Sequence, residues 1–286
     1  MNQLQLLGAV EIGLIYSLVA IGVYITFKVI DFPDLTVDGS FTLGAAVSSA
    51  MIFAGYNPYV ATVVSILSGA CAGFVTGYLN VRWNILGLLA GILTMTALYS
   101  INLRIMGRPN IAIIDESTVF GSWSIILVIL FVTIVTILKL TRFFASEFGL
   151  AIRAVGINPK VSSAYGIRVG VMKIVALAIS NGIVALAGSL FAQSQGFADI
   201  SMGTGTIIVG LASVIIGEAL VHPERILVGL VTCAIGSILY RIAIAFALNA
   251  HDIGLEASDL NLITALLVAL TMIATRFRKK SGARSI

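Results

Sequence analysis

Apolar residues run along this chain in long unbroken stretches, parted by short breaks that hold most of the Pro and charged residues. Windows of about 19 residues predict membrane-spanning helices near 7–27, 39–54, 58–79, 85–105, 123–140, 171–192, 203–217, 226–248 and 259–275. A lipid-facing barrel would alternate polar and apolar positions every second residue, and these runs do not. Helices satisfy their own backbone groups in lipid, so the pattern predicts an all-α, polytopic bundle of eight or nine spans.

Two of the spans are short. At 1.5 Å per residue, 39–54 and 203–217 reach only about 24 Å and 22 Å, against a hydrocarbon core near 30 Å. Each follows a polar stretch containing Gly or Pro, FPDLTVDG at 32–39 and ISMGTG at 200–205. Such a pair in corresponding halves points to discontinuous helices around a translocation path. The competing reading is a pair of ordinary spans that locally thin the bilayer.

Composition turns this pattern into a firm class. Of 286 residues, 59% are hydrophobic and only 10% charged, where a soluble domain has about 25% charged. With a mean hydropathy of +1.07, there are too few ionic side chains to cover a water-facing surface. The spans leave no room for a sizeable domain outside the membrane, so residues 1–286 read as one transmembrane domain. MNQLQLLGAVEIG lacks a basic region and a cleavage site, and is read as the start of the first span. The net charge of +4 sits beside apolar spans, which indicates a basic membrane face and not nucleic-acid binding.

Lys and Arg set the orientation. Residues 139–173 hold Lys139, Arg142, Arg153, Lys160, Arg168 and Lys173 against one acid, Glu147, and the tail holds Arg276, Arg278, Lys279, Lys280 and Arg284. Both segments are therefore expected in the cytoplasm, the C-terminus included. Segments 193–204 and 249–259 lack Lys and Arg and are expected outside, as is the N-terminus. The loop 106–122 fits least well, because Arg104 and Arg108 lie at a border placed outside.

Ionisable groups at membrane depth are functional candidates, because burying a charge in hydrocarbon is costly. Asp31, Asp34 and Asp38 cluster before the short second span, among Thr36 and Ser40. They either line a hydrated vestibule or cap a helix, with Asp38 placed as N-cap of a helix opening at Gly39. Asp34, Thr36, Asp38, Ser40, Asn102 and Thr204 are the candidate substrate path. Glu11 lies in the outer part of the first span, and Arg104 and Arg241 are read as snorkelling. Asn84, Asn102 and Asn181 suit hydrogen bonds between helices or to a solute. Gly69, Gly73 and Gly77, then Gly87 and Gly91, form GxxxG steps for close packing, inside the chain or across a dimer.

Catalytic motifs are missing. The sequence holds no GxxxxGK[ST], HExxH or CxxC, and His222 and His251 fall on opposite sides of the membrane in this topology. Cys71 and Cys233 sit in apolar runs and read as small hydrophobes. No enzyme activity, metal site or cofactor is expected in this chain.

The segment EFGLAIRAVGINPKVSSAYGIRVG, 147–170, is too apolar for a free loop. It predicts two short helices, 147–155 and 159–165, the second with Asn158 as N-cap, Pro159 at its first position and Gly166 past its end. Helices this short need a docking surface. Phe148, Leu150, Ile152, Val155 and Ile157 can pack on the base of the membrane domain, with other side chains left for a partner's groove or for lipid.

These residues resemble the permease subunits of ABC importers of the branched-chain amino acid and ribose type. The stretch GLAIRAVGINPKVSSAYGIRV is similar to that family's cytoplasmic coupling segment, at Gly149, Arg153, Gly156, Asn158, Pro159, Ala164, Gly166 and Ile167. DFPDLTVDGSFTLGAA resembles its entry to the second helix and GTGTIIVGLASVIIGEAL its later Gly-rich segment, so the likeness runs over about 31–220. Asp38 before Gly39, and Glu218 where relatives carry Gly, depart from the pattern; the Thr-Val-Asp-Gly version is closest to a branch associated with amino acids, aromatic ones among them.

The resemblance implies a permease domain in a prokaryotic cytoplasmic (inner) membrane, working as a homodimer. Partner ATPases that bind ATP and Mg would grip the coupling segment, about 141–170, at Glu147, Gly149, Arg153, Gly156, Asn158, Pro159, Tyr165, Gly166 and Ile167. An external solute-binding protein would deliver a small solute, an amino acid by the branch resemblance. An ion-coupled secondary transporter using Glu11 and the aspartates, or an ABC permease for a sugar, are the competing readings.

Overall fold

The computed structural model describes residues 3–114, 116–121, 123–221 and 225–248. Ten helices follow one another: α1 Gln3–Tyr24, α2 Thr36–Phe53, α3 Pro58–Trp83, α4 Gly87–Met106, α5 Ile125–Ala145, α6 Glu147–Ile157, α7 Pro159–Ala164, α8 Val169–Gln195, α9 Thr206–Leu220 and α10 Ile226–Leu248. Among the described residues, six helices are long and apolar enough to cross a membrane, while α9, with 15 residues, is a shorter apolar helix. The expected span at 259–275, with its basic tail, lies outside the described residues.

Glycines decide which helices touch. A Cβ at Gly69, Gly73 or Gly77 on α3 would run into Ala185, Leu177 or Ile174 of α8. The GxxxG stripe therefore closes a contact inside the chain, where the sequence left a dimer equally open. Gly44 of α2 and Gly188 of α8 lock a second pair in the same way, against Ala185 and the Phe41 carbonyl. Tyr16, Phe41 and Phe191 meet where α1, α2 and α8 converge, with ring centroids 5.6 to 5.9 Å apart.

The first helix ends in a widened π-turn, Ile25–Val29. Asp31 then takes a left-handed conformation at φ +50, which Asp tolerates better than most residues, and the chain turns back into the bundle. It climbs along α4, with Phe32 laid on Gly87, Leu35 on Gly91, and Gly39 against Leu98. The second helix thus opens at Thr36, three residues before the expected Gly39.

One short antiparallel ribbon, β1 Asn110–Ala112 with β2 Phe197–Asp199, pairs Ile111 with Ala198. It lies over the ends of α2, α4 and α8, where Ile52, Met106, Ile113 and Ala192 form a small core. No strand was expected in the loop 106–122. The bundle remains a polytopic all-α fold with this ribbon as a cap.

Candidate functional site

Buried polar side chains collect where the broken helices begin. Asp34 is fully buried; its Oδ1 accepts from the Thr36 N–H at 2.9 Å, and its Oδ2 accepts from Asn181 Nδ2 at 2.7 Å. Asn181 Oδ1 in turn accepts from Ser40 Oγ at 2.7 Å, while Thr36 and Thr76 share a hydroxyl contact of 2.7 Å. Three of these bonds tie α2 and the segment before it to α3 and α8.

Asp38 does something the sequence did not suggest. Instead of capping its own helix, its carboxylate reaches α9: Oδ2 accepts from the Gly205 N–H at 2.9 Å and Oδ1 from the Ile207 N–H at 2.7 Å. The neighbouring Thr42 Oγ1 accepts from the Gly203 N–H at 3.1 Å. Helix N-termini leave N–H groups without intrahelical partners, and here α2 supplies the acceptors for a helix more than 160 residues away in sequence.

The remaining path candidates separate. Ser40 is buried within the network, Asn102 Nδ2 donates to the Gly39 carbonyl at 3.3 Å, and Thr204 is exposed beside the capped turn. Asp31 is exposed. Arg241 does not stand clear of the bundle: its guanidinium lies 4.0 Å from the centroid of the Tyr16 ring, a cation–π arrangement. Asn181, expected to bond between helices or to a solute, does bond across to Ser40 of α2 and to Asp34; Thr76 and Thr42 were absent from the sequence reading, and only their hydrogen-bonding type signalled them.

At the other end of the bundle, α5 continues to Ala145, so the segment between the long helices is 146–168. Ser146 Oγ accepts from the Gly149 N–H at 3.3 Å to cap α6. Asn158 Oδ1 accepts from the N–H groups of Lys160 and Val161, each at 3.1 Å, to cap α7 behind Pro159. Gly166 follows α7 at φ +81. Ile152 and Val155 are fully buried. A Cβ at Gly149 would strike the backbone of Phe143 and Phe144, and one at Gly156 the Val29 carbonyl.

The inward face of α6 is thus seated on α5 and on the π-turn of α1. Its outward face, continued by α7, carries Ile157 and Tyr165 at 87% and 84% exposure, with Leu150 and Val161 also open. Glu147, Asn158, Pro159 and Gly166 are exposed, and Arg153 and Ile167 half-buried. On the residue before Val29, which Gly156 contacts, Lys28 Nζ meets Glu218 Oε2 of α9 at 2.7 Å.

On the ribbon, Asp199 accepts from the Ser201 N–H and hydroxyl and from Asn110 Nδ2. The Ser201 hydroxyl bond, more than any other, holds its carboxyl below the usual range. Among the described residues, no group of three or more His, Cys, Asp or Glu could hold a metal.

The family model described as a branched-chain amino acid transport system permease component matches residues 6–275. A tyrosine transport system permease protein of Clostridioides difficile is 42% identical over 265 residues, covering 92% of this chain and 88% of that protein. An uncharacterised protein of Rickettsia prowazekii is 32% identical over 95% of this chain and 98% of its own length. A solved structure described as an inward-facing conformation of a metal-chelate type ABC transporter shares the fold at a TM-score of 0.52 and 15% identity. It covers 96% of this chain and 86% of its own.

Proposed function

Because the chain belongs to the family of branched-chain amino acid transport permease components, we propose that it is the membrane path of an ATP-driven importer for an amino acid, aromatic side chains included. Two copies enclose the path, ATPase subunits on the cytoplasmic side hydrolyse ATP, and an external binding protein delivers the solute. The similarity to a tyrosine permease supports the solute class.

The observation that carries the coupling role is the two-faced segment 146–168. Its inner residues are fixed to the bundle by contacts too close for a Cβ, while large apolar residues remain open on its outer face. Exposed apolar clusters of this kind mark partner surfaces. A push on α6 passes at Gly156 to the π-turn, and from Lys28 through Glu218 to α9. Ion coupling through Glu11 and the aspartates is the second reading; at Asp34 and Asp38 it would compete with a hydrogen bond that the chain already makes to each carboxyl oxygen.

The test is reconstitution in proteoliposomes with the ATPase and binding-protein subunits that co-purify with the chain. Labelled tyrosine should enter only with ATP and binding protein, and an uncoupler should have no effect. Uptake by the chain alone that collapses with an uncoupler would refute the proposal, and uptake of a sugar in preference to any amino acid would refute the solute class.

A further inference from the structure

Helices α3 and α8 are zipped together by the glycine stripe, but α5 leans on α1, where Thr133 and Ser17 bring their hydroxyls to 3.5 Å. The wedge left between α5 and the α3–α8 pair is an apolar crevice of about 610 Å³. Ile66 and Phe74 line it from α3, Val171, Ala178 and Ile183 from α8, and Lys139 from α5. From Val171 to Ile183 the wall runs about 18 Å at 1.5 Å per residue. That is close to half the thickness of a hydrocarbon core.

Lys139 is out of character with the rest of the lining. It is exposed and, among the described residues, makes no ion pair or hydrogen bond. Lys173 stands at the same end, two residues from Val171 and half-buried. Between residues 139 and 173 the only acid is the exposed Glu147. A long apolar slot with a cation at its mouth is complementary to one molecular shape, an acyl chain ending in a phosphate.

We propose that the crevice between α3, α5 and α8 binds one acyl chain of an anionic glycerophospholipid, whose phosphate sits on Lys139. Its length matches one leaflet, and the Lys139 ammonium can extend along the slot to the level of the headgroups. That this is the cytoplasmic leaflet rests on the orientation read from Lys and Arg. Lipid held there braces α5, and through it the start of α6, against the α3–α8 pair.

Native mass spectrometry of the transporter purified in mild detergent, with phosphatidylglycerol or phosphatidylcholine of equal chain length added, tests this. The wild type should retain one phosphatidylglycerol per copy of the chain and about fivefold less phosphatidylcholine, the worth of one lysine at a charged surface. Lys139→Gln should lower phosphatidylglycerol to the phosphatidylcholine level, Lys139→Arg should keep it, and Ala178→Phe should exclude both. Equal retention of the two lipids by the wild type, or full phosphatidylglycerol retention by Lys139→Gln, would overturn the proposal. So would cross-links from Ala178→Cys to a second copy or to residues 259–275, which would mean that polypeptide fills the slot. Transport is not read in any arm, so a failure of the importer assignment would leave these outcomes distinct.

Discussion

Asp34 and Asp38 bring carboxylates into the interior of the bundle, and each oxygen there accepts a hydrogen bond from the chain itself. At the end of α5 the situation is reversed: Ile157 and Tyr165 stand almost fully open on a segment whose inner side is held by the buried Gly149, Ile152 and Val155. Each region departs from the rule that apolar groups are inside and charged groups outside. The difference is in what remains unsatisfied. The central aspartates have each oxygen tied to the chain by one hydrogen bond, whereas the segment 146–168 leaves large apolar side chains open, the surface proposed above for a partner.

The comparison breaks first at Asp38. Asp38→Ala would strand the Gly205 and Ile207 N–H groups at membrane depth, at about 1–3 kcal/mol for each orphaned donor. Thermal unfolding in detergent should show a large fall in midpoint, with Asp38→Asn recovering part of it. A wild-type midpoint for Asp38→Ala would mean that these donors have other acceptors and that the carboxylate is free for a solute. Next come Ile157→Ser and Tyr165→Ser. Each should weaken binding of the partner ATPase about tenfold, by lost apolar burial of about 1.4 kcal/mol, and leave unfolding unchanged. Affinity measured by titrating the ATPase against the detergent-purified permease separates the two quantities. The smallest effect on stability belongs to Lys28→Gln and Glu218→Gln. A part-exposed ion pair contributes about 0–1 kcal/mol, so a double-mutant cycle should give little coupling in stability. The ATP hydrolysed per solute imported should nonetheless rise, and an unchanged ratio would remove this pair from the route to α9.

The two regions were not equally legible. Helices α6 and α7 could be read, the second with its caps, because Asn158, Pro159 and Gly166 act on backbone within three residues of themselves; the Ser146 cap of α6, equally local, was missed. Eight of the nine expected spans fall on described helices, six of them long and apolar enough to cross a membrane, and all followed from continuous apolar runs, with ends moved by a few residues. What could not be read was Asp38: its partners lie 167 and 169 residues away, and local spacing suggested a cap on its own helix instead. Gly39 looked like a helix start because Asp38 before it looked like an N-cap, but the chain needed a residue without a Cβ there against Leu98 and Met95. The ribbon's strands, Asn110–Ala112 and Phe197–Asp199, are too short to show an alternation, so only their pairing across the fold reveals them.

The central aspartates also set the electrostatics at the starts of α2 and α9. A helix carries about half a positive charge at its N-terminus, and transporters with broken helices commonly aim such ends at anionic groups of their cargo. Here each broken helix begins on a carboxylate of its own chain, α2 on Asp34 and α9 on Asp38. Each helix start is thus met by an acidic side chain of the chain itself. On the import path proposed here, a zwitterion at this level would meet two helix starts already facing acidic side chains of the chain itself, and so a shallower trap than bare helix ends would make.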